Sequence, residues 1–165
     1  MGIDVQRRAL FRGKVVASNA IRMPWLKGTE DFTELCTRCN QCVTACPTGI
    51  IKNGDGGYPE VDFSVGECTL CSACAEACDE SLFDLTQLSP WDLKAGVSEN
   101  CLNQQSVYCR SCAESCEPEA IQFSFNSTLF VSPAVNLSDC TGCGACVSVC
   151  PAKAIDVKSL RSGGV

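Results

Sequence analysis

The chain has 165 residues, of which sixteen are cysteine and none is histidine. The lack of histidine excludes mixed Cys/His zinc sites and catalytic triads built on imidazole. Apolar residues other than cysteine are few, so we expect metal or covalent cross-links to support the core, and no apolar run is long enough to span a membrane. The net charge of −6 is uneven, since residues 1–29 carry +5 and residues 30–165 carry −11.

Residues 1–30 form a basic arm that either binds a partner or folds back onto the acidic body. Arg7-Arg8 resembles a twin-arginine export motif, but no apolar segment follows it. We therefore expect a cytoplasmic protein, a setting that also keeps thiols reduced. Arg7, Arg8 and Trp25 are candidate partner-binding residues. The favoured interpretation of Trp25 and Trp91 is nevertheless that each indole packs over a cysteine loop.

Three of the four cysteine groups have the spacing C-x2-C-x2-C-x3-C, which is the ligand run of bacterial 4Fe–4S ferredoxins. Three thiolates two residues apart wrap one cluster, and the fourth turns the chain toward a second cluster. The regular groups are motif 1 (Cys36, Cys39, Cys42, Cys46), motif 2 (Cys68, Cys71, Cys74, Cys78) and motif 4 (Cys140, Cys143, Cys146, Cys150).

Motif 3 departs from this spacing. Cys109, Cys112 and Cys116 occupy its last three positions, but Ser106 stands where the first ligand belongs. We predict that Cys101 fills the vacancy across a longer loop, residues 102–108. A three-iron cluster and ligation by serine are the alternatives. The expected cofactors are thus four 4Fe–4S clusters, or three if motif 3 is empty.

Similar short tails follow all four motifs and indicate an internal repeat of cysteine loop, helical turn and strand. A glycine-rich turn at residues 53–57 predicts a hairpin from Ile50 to residues 61–63, and residues 121–125 start a second hairpin that returns through residues 133–137. The predicted fold is α+β, with two tandem ferredoxin-like dicluster units built of short helices and β-hairpins. Its parts are the arm, unit 1 (31–89), a linker containing Cys101 (90–105), unit 2 (106–158) and a flexible tail (159–165).

In a two-cluster unit the fourth cysteine of each motif binds the other cluster. The short gap between Cys46 and Cys68 favours exchange between neighbouring motifs, although an outer-with-outer arrangement remains open. The predicted ligand sets are Cys36, Cys39, Cys42 with Cys78; Cys68, Cys71, Cys74 with Cys46; Cys101, Cys109, Cys112 with Cys150; and Cys140, Cys143, Cys146 with Cys116.

Two other uses of the cysteines fit less well. Sixteen cysteines suit eight disulfides by number, but thiols in C-x2-C-x2-C runs pair poorly across a fold and no secretory signal is visible. Structural zinc typically takes two C-x2-C knuckles ten or more residues apart, not three overlapping ones. Iron–sulfur binding is therefore the prediction.

The stretches between the motifs resemble the NapF-type ferredoxins of the periplasmic nitrate reductase system. The resemblance covers nearly the whole chain and rests on Arg7-Arg8, Ser18–Arg22 with Pro24-Trp25, Gly56–Pro59, Glu80–Phe83, Trp91–Leu93, Gln105–Val107 and Cys116–Pro118. Asp79 departs from it, because proline often follows the fourth cysteine. That substitution affects a turn and leaves the ligands intact.

The resemblance implies a cytoplasmic accessory protein that acts in maturation of the nitrate reductase catalytic subunit before its twin-arginine export. Cluster assembly, cluster loading or redox support are the roles it suggests, with the precursor of that subunit as partner. The alternative is a soluble electron carrier between a quinol or cytosolic donor and a redox partner, in peripheral contact with a membrane complex. No nucleic-acid partner and no independent catalysis are expected, because nucleotide-binding and nucleophile motifs are missing from the sequence.

Overall fold

The computed structural model describes residues 20–28, 32–123 and 133–160. Its helices have about one turn each, and its strands form two-stranded antiparallel sheets, so the predicted α+β class is confirmed. In chain order the elements are α1 (Phe32–Leu35), α2 (Gln41–Ala45), β1 (Ile51–Asn53), β2 (Pro59–Val61), α3 (Ala73–Glu76), β3 (Leu93–Val97), α4 (Ser111–Glu114), β4 (Ile121–Gln122), β5 (Ala134–Val135), α5 (Ala145–Ser148) and β6 (Ile155–Ser159). Within these ranges no helix has the length and apolar character needed to cross a membrane.

The first predicted hairpin is confirmed. Strands β1 and β2 are antiparallel, with Ile51 opposite Val61. Gly56 and Gly57 turn the chain between them at φ of 66° and 77°, a left-handed conformation that glycine adopts at little cost. The glycine-rich segment therefore produces the turn that the sequence predicted.

The second hairpin is shorter than predicted over the described residues. Strands β4 and β5 pair antiparallel, with Ile121 opposite Val135 and Gln122 opposite Ala134. The expected alternation through Phe125 lies partly within residues 124–132, outside the described residues.

A third sheet was not predicted. Strands β3 and β6 are antiparallel from Leu93 opposite Ser159 to Val97 opposite Ile155. Residues 90–105 are thus more than a linker, because they contain a five-residue strand. At the other end, Ser159 belongs to β6 instead of beginning a flexible tail, and residues 161–165 lie outside the described part.

The described end of the basic arm lies against the first unit. The N–H of Val61 donates to the carbonyl of Ile21 (2.8 Å), and the N–H of Lys27 donates to the carbonyl of Leu82 (3.0 Å). Leu26 also forms a single β-bridge with Phe83. For residues 20–28 the folded-back interpretation therefore applies, whereas Arg7 and Arg8 lie outside the described residues.

Cysteine side chains form part of the hydrophobic core. The core cluster includes Cys42, Cys74, Cys112 and Cys146 beside aliphatic and aromatic residues from both halves of the chain. Phe32 and Ile50 are its largest fully buried side chains. Because thiols occupy central core positions, we expect the packing to depend on what those thiols bind.

Candidate metal centres

The third cysteine of every motif lies on a one-turn helix. Cys42 is on α2, Cys74 on α3, Cys112 on α4 and Cys146 on α5, and all four are buried. Helices of four or five residues are not stable by propensity alone. Tertiary packing therefore positions these thiols.

The loops of the three regular motifs share an unusual backbone. The residues on either side of each second cysteine have φ between 52° and 81°; they are Arg38 and Asn40, Leu70 and Ser72, and Gly142 and Gly144. For residues other than glycine this conformation costs about 1–3 kcal/mol and is common at ligand-binding positions. Successive N–H groups in such turns can form an anion-binding concavity, as at many iron–sulfur sites. In motif 3, Arg110 instead has φ of −133°.

Two cavities of the first unit each combine one motif with the fourth cysteine of its neighbour. Site 1 is lined by Cys36, Cys39 and Cys42 together with Cys78. Site 2 is lined by Cys68, Cys71 and Cys74 together with Cys46. The structure thus places the fourth cysteines of motifs 1 and 2 as the neighbouring arrangement predicts.

A third cavity repeats this design in the second unit. Site 4 is lined by Cys140, Cys143 and Cys146 together with Cys116. The open space in the cavities at sites 4, 2 and 1, including the part that faces solvent, is about 330, 350 and 360 Å³. Each cavity is lined by three cysteines of one motif and the fourth cysteine of its neighbour, and this shared arrangement indicates three equivalent binding sites.

Site 3, the place of Cys101, Cys109 and Cys112, is organised by an asparagine. Asn103 is 4% exposed, and its side chain donates to the carbonyl of Cys109 (2.5 Å) and accepts from the N–H of Cys109 (3.4 Å). This pair of hydrogen bonds closes the loop of residues 102–108. The thiols of Cys101 and Cys109 lie close enough to the Cys112 thiol to raise its pKa electrostatically. Ser106, by contrast, is exposed.

The segment after Cys150 is connected to site 3 through the backbone. The N–H of Ser98 donates to the carbonyl of Ala154 (2.7 Å), and the N–H of Cys101 donates to the carbonyl of Ser98 (3.2 Å). Ala154 in turn donates its N–H to the Cys150 sulfur (3.2 Å). A chain of hydrogen bonds therefore links Cys101 to Cys150, the fourth thiol predicted for this site.

Two fourth cysteines accept hydrogen bonds from their own tails. The Ala154 N–H at Cys150 is one such bond. Burial acts to raise the pKa of Cys46, but hydrogen bonds from the Thr48 hydroxyl and from the backbone N–H groups of Thr48, Ile50 and Ile51 outweigh it, so the pKa lies below its usual value. Donors of this kind stabilise a thiolate and, in a bound cluster, the reduced state.

The third cysteines are in the opposite situation. Burial raises the pKa of Cys42 and Cys112 to about 11, and that of Cys74 and Cys146 to about 12. These thiols therefore hold their protons at neutral pH unless a cation displaces them. Metal binding at the four sites must release those protons.

The donor set fits iron–sulfur clusters better than single metal ions. In residues 20–28, 32–123 and 133–160, no three cysteine or acidic side chains are grouped so as to hold one metal ion. Tetrahedral zinc needs four sulfurs at about 2.3 Å from one point. Four thiols distributed around a cavity instead suit a cubane, in which each thiolate binds a different iron.

Two cations near the cysteines were not singled out by sequence reasoning. The Arg22 guanidinium lies 4.7 Å from the Phe32 ring centroid, donates to the carbonyl of Pro59 (2.7 Å) and interacts electrostatically with Cys36. Lys94 donates its Nζ to the carbonyl of Cys140. Arg22 belongs to the basic arm and to the stretch that carries the family resemblance, whereas Lys94 lies in the segment predicted as a linker.

Both tryptophans contact cysteine loops. Trp25 lines the cavity of site 2, and the N–H of its backbone donates to the carbonyl of Pro90 (2.6 Å). Trp91 donates its indole N–H to the carbonyl of Thr141, between Cys140 and Cys143 (2.8 Å). These contacts agree with the packing interpretation.

Comparison with known proteins shows two iron–sulfur regions. Residues 30–79 and residues 107–154 each match a family described as a 4Fe-4S dicluster domain. The chain is 44% identical over 163 residues to the ferredoxin-type protein NapF of Escherichia coli K12, covering 98% of this chain and 99% of that protein. NapF of Haemophilus influenzae is 40% identical, with 96% of each chain covered. The chain belongs to the NapF family of ferredoxin-type proteins.

More distant relatives cover less of their own length. The ferredoxin-type protein NapG of Escherichia coli K12 is 30% identical over 85% of this chain and 70% of that protein. In this chain the two matched regions contain fifteen of the sixteen cysteines and leave Cys101 outside. The position of Cys101 beside Cys109 and Cys112 therefore depends on the loop that Asn103 closes.

Proposed function

We propose that this NapF-family chain holds four 4Fe–4S clusters through its sixteen cysteines and serves the periplasmic nitrate reductase system as an accessory protein, not as an enzyme. The observation that supports this proposal most directly is the set of three cavities, each lined by four cysteines from two motifs. Site 3 completes the set with Cys101, Cys109, Cys112 and Cys150. When bound, each cluster supplies a one-electron redox centre.

The proposed task is maturation of the nitrate reductase catalytic subunit in the cytoplasm before its export. Membership of the NapF family supports this role, because the resemblance to that family implies an accessory protein that acts on the catalytic subunit before its export. The acidic body, at −11 over residues 30–165 before any cluster is added, favours a basic docking surface on the partner.

Within maturation, the geometry favours redox support over donation of a resident cluster. In sites 1, 2 and 4 the fourth thiol comes from another motif, and the third thiol is a core residue. Release of a cluster would therefore expose core thiols and disturb both motifs of a unit. Electron exchange requires no such opening.

An anaerobic pull-down of the tagged full-length protein from cytoplasm tests this role. Recovery of the nitrate reductase catalytic subunit with its signal peptide uncut is the expected result. Exported reductase of normal iron content and activity in a deletion strain, under all growth conditions, would contradict maturation. Chemical analysis of the anaerobically purified protein should find about sixteen irons, whereas about twelve would remove Cys101 from the ligand set.

A soluble electron relay is the second candidate, favoured by the adjacency of ligand loops from different motifs. The thiol of Cys42 at site 1 influences the charge of Cys74 at site 2. A relay predicts rapid reduction by a physiological donor and reoxidation by a specific acceptor. Recovery of only a membrane quinol dehydrogenase or a cytosolic reductase in the pull-down would favour this candidate over maturation.

A further inference from the structure

The two dicluster units meet at the loops of motif 2 and motif 4. The backbone N–H of Cys68, the first ligand of site 2, donates to the carbonyl of Cys143, the second cysteine of site 4 (2.8 Å). The thiol of Cys143 also lies close enough to the Cys68 thiol for the two to interact electrostatically. A direct hydrogen bond thus joins two cysteines of different units.

Close packing surrounds this hydrogen bond. Gly144 has φ of 81°, and a Cβ placed there would collide with the ring of Phe63. Phe63 in turn meets Trp91 edge-on, with ring centroids 5.8 Å apart. The approach of the first unit therefore requires glycine at this position, and the backbone conformation favours it.

Contacts inside each unit supply the remaining links. In unit 1, α2 packs against α3, and Cys42 at site 1 lies within electrostatic range of Cys74 at site 2. In unit 2, α4 packs against α5, and Cys112 at site 3 lies within electrostatic range of Cys146 at site 4. The contacts between sites therefore connect 1 with 2, 2 with 4, and 4 with 3.

We propose that the four sites form one row in the order 1, 2, 4, 3, with the hydrogen bond from Cys68 to Cys143 as the junction between the units. This inference rests on the proposed binding of four clusters. It makes sites 1 and 3 the ends of the row, although motif 3 precedes motif 4 in the sequence. Clusters held on the two sides of the junction would exchange one electron, one being oxidised as the other is reduced, with no bond or proton exchanged.

Electron paramagnetic resonance of the holoprotein tests the order, because reduced clusters are paramagnetic and neighbours broaden each other's signals. One variant empties site 4 (Cys140→Ala with Cys143→Ala), and its matched counterpart empties site 3 (Cys109→Ala with Cys112→Ala). Both are reduced anaerobically with titanium(III) citrate, and iron is counted in each. We expect about twelve irons in either variant.

The proposed order predicts different spectra for the two variants. Loss of site 4 leaves the cluster at site 3 without a neighbouring cluster, so an uncoupled single-cluster signal appears. Loss of site 3 removes an end of the row, so the remaining three clusters stay coupled. The reverse result would establish the order 1, 2, 3, 4 and overturn the proposal, as would an uncoupled signal in both variants or in neither.

The junction is tested without touching a ligand or a ligand loop. Phe63→Ala removes the ring that packs on Gly144 and on Trp91, and it should keep about sixteen irons but weaken the coupling between the two units. Tyr58→Ala is the control, since the ring of Tyr58 packs on Phe32 of the same unit, with centroids 6.1 Å apart. Unchanged coupling in Phe63→Ala would refute the junction. A wild-type protein without about sixteen irons would instead refute the proposed binding of four clusters.

Discussion

Asn103 and Cys109 form two hydrogen bonds with each other, one in each direction between the asparagine amide and the cysteine backbone. The pair holds closed the loop that separates Cys101 from the other cysteines of motif 3. In the regular motifs, the spacing of two residues between cysteines is enough to keep the first cysteine near the others, and no side-chain hydrogen bond is needed. A buried asparagine therefore replaces the covalent spacing that motif 3 lacks.

Replacing Asn103 should cost one cluster. In Asn103→Ala the loop of residues 102–108 loses its side-chain hydrogen bonds, and we expect iron to fall from about sixteen to about twelve per chain. Iron and sulfide analysis of the anaerobically purified protein measures this loss. Gln105→Ala is the control, because Gln105 is an exposed amide in the same loop. Equal iron in both variants would show that Asn103 does not organise site 3.

Arg22 should raise the reduction potential of the cluster at site 1. Its guanidinium interacts electrostatically with Cys36, and a cation favours the state that carries one more electron. In Arg22→Gln we expect the potential to fall by on the order of 50 mV, close to a tenfold change in a one-electron equilibrium. Redox titration followed by paramagnetic resonance measures the shift.

Two further substitutions distinguish the charge of Arg22 from its packing on Phe32. Arg22→Lys should recover most of the potential if the charge is responsible. Lys27→Gln removes a basic residue of the same segment, whose backbone N–H donates to the carbonyl of Leu82 in the first unit. We expect no change of potential in that variant, and an equal shift there would attribute the effect to net charge alone.

Trp25 should protect site 2 from oxidants. Because the indole lines this cavity, Trp25→Ala opens it to solvent, and we expect faster bleaching of the cluster absorbance in air. Leu88→Ala is the comparison, as Leu88 is fully exposed. A variant that bleaches at the wild-type rate but loses its partner in the pull-down would instead make Trp25 a docking residue.

Removal of iron should unfold most of the chain. Cys42, Cys74, Cys112 and Cys146 are core residues, and burial raises the pKa of each well above its ordinary value. Without iron, these protonated thiols leave the two units uncrosslinked around a small core. We expect chelation under anaerobic denaturant-free conditions to abolish the cooperative thermal transition seen by circular dichroism. An apoprotein that keeps this transition would contradict the prediction.

Local patterns predicted the local parts of the structure. The glycine-rich segment before Tyr58 produced the first hairpin, because glycine supplies the left-handed turn that pairing requires. Asp79 stands where proline often follows the fourth cysteine, and its predicted effect is on a turn only. The other three tails have a residue of positive φ three positions after the fourth cysteine, at Gly49, Glu119 and Lys153, whereas Ser81 after Cys78 does not.

Contacts between distant segments were not predictable in the same way. Strand β3 was missed because Leu93–Val97 contains lysine and glycine and its partner β6 lies near the end of the chain. Pairing over such a separation leaves no short-range signal. Likewise, nothing in the composition of residues 102–108 singled out Asn103, whose importance comes from burial next to Cys109.

The sequence alone determined the cysteine spacing, the irregular third motif and the family, because ligand spacing and turn formation depend on residues a few positions apart. Only the tertiary structure decided which fourth cysteine stands at sites 1, 2 and 4, and that Cys68 of one unit meets Cys143 of the other. Those relationships arise from packing such as that of Phe63 on Gly144, and packing between distant segments is fixed only when the whole chain has folded.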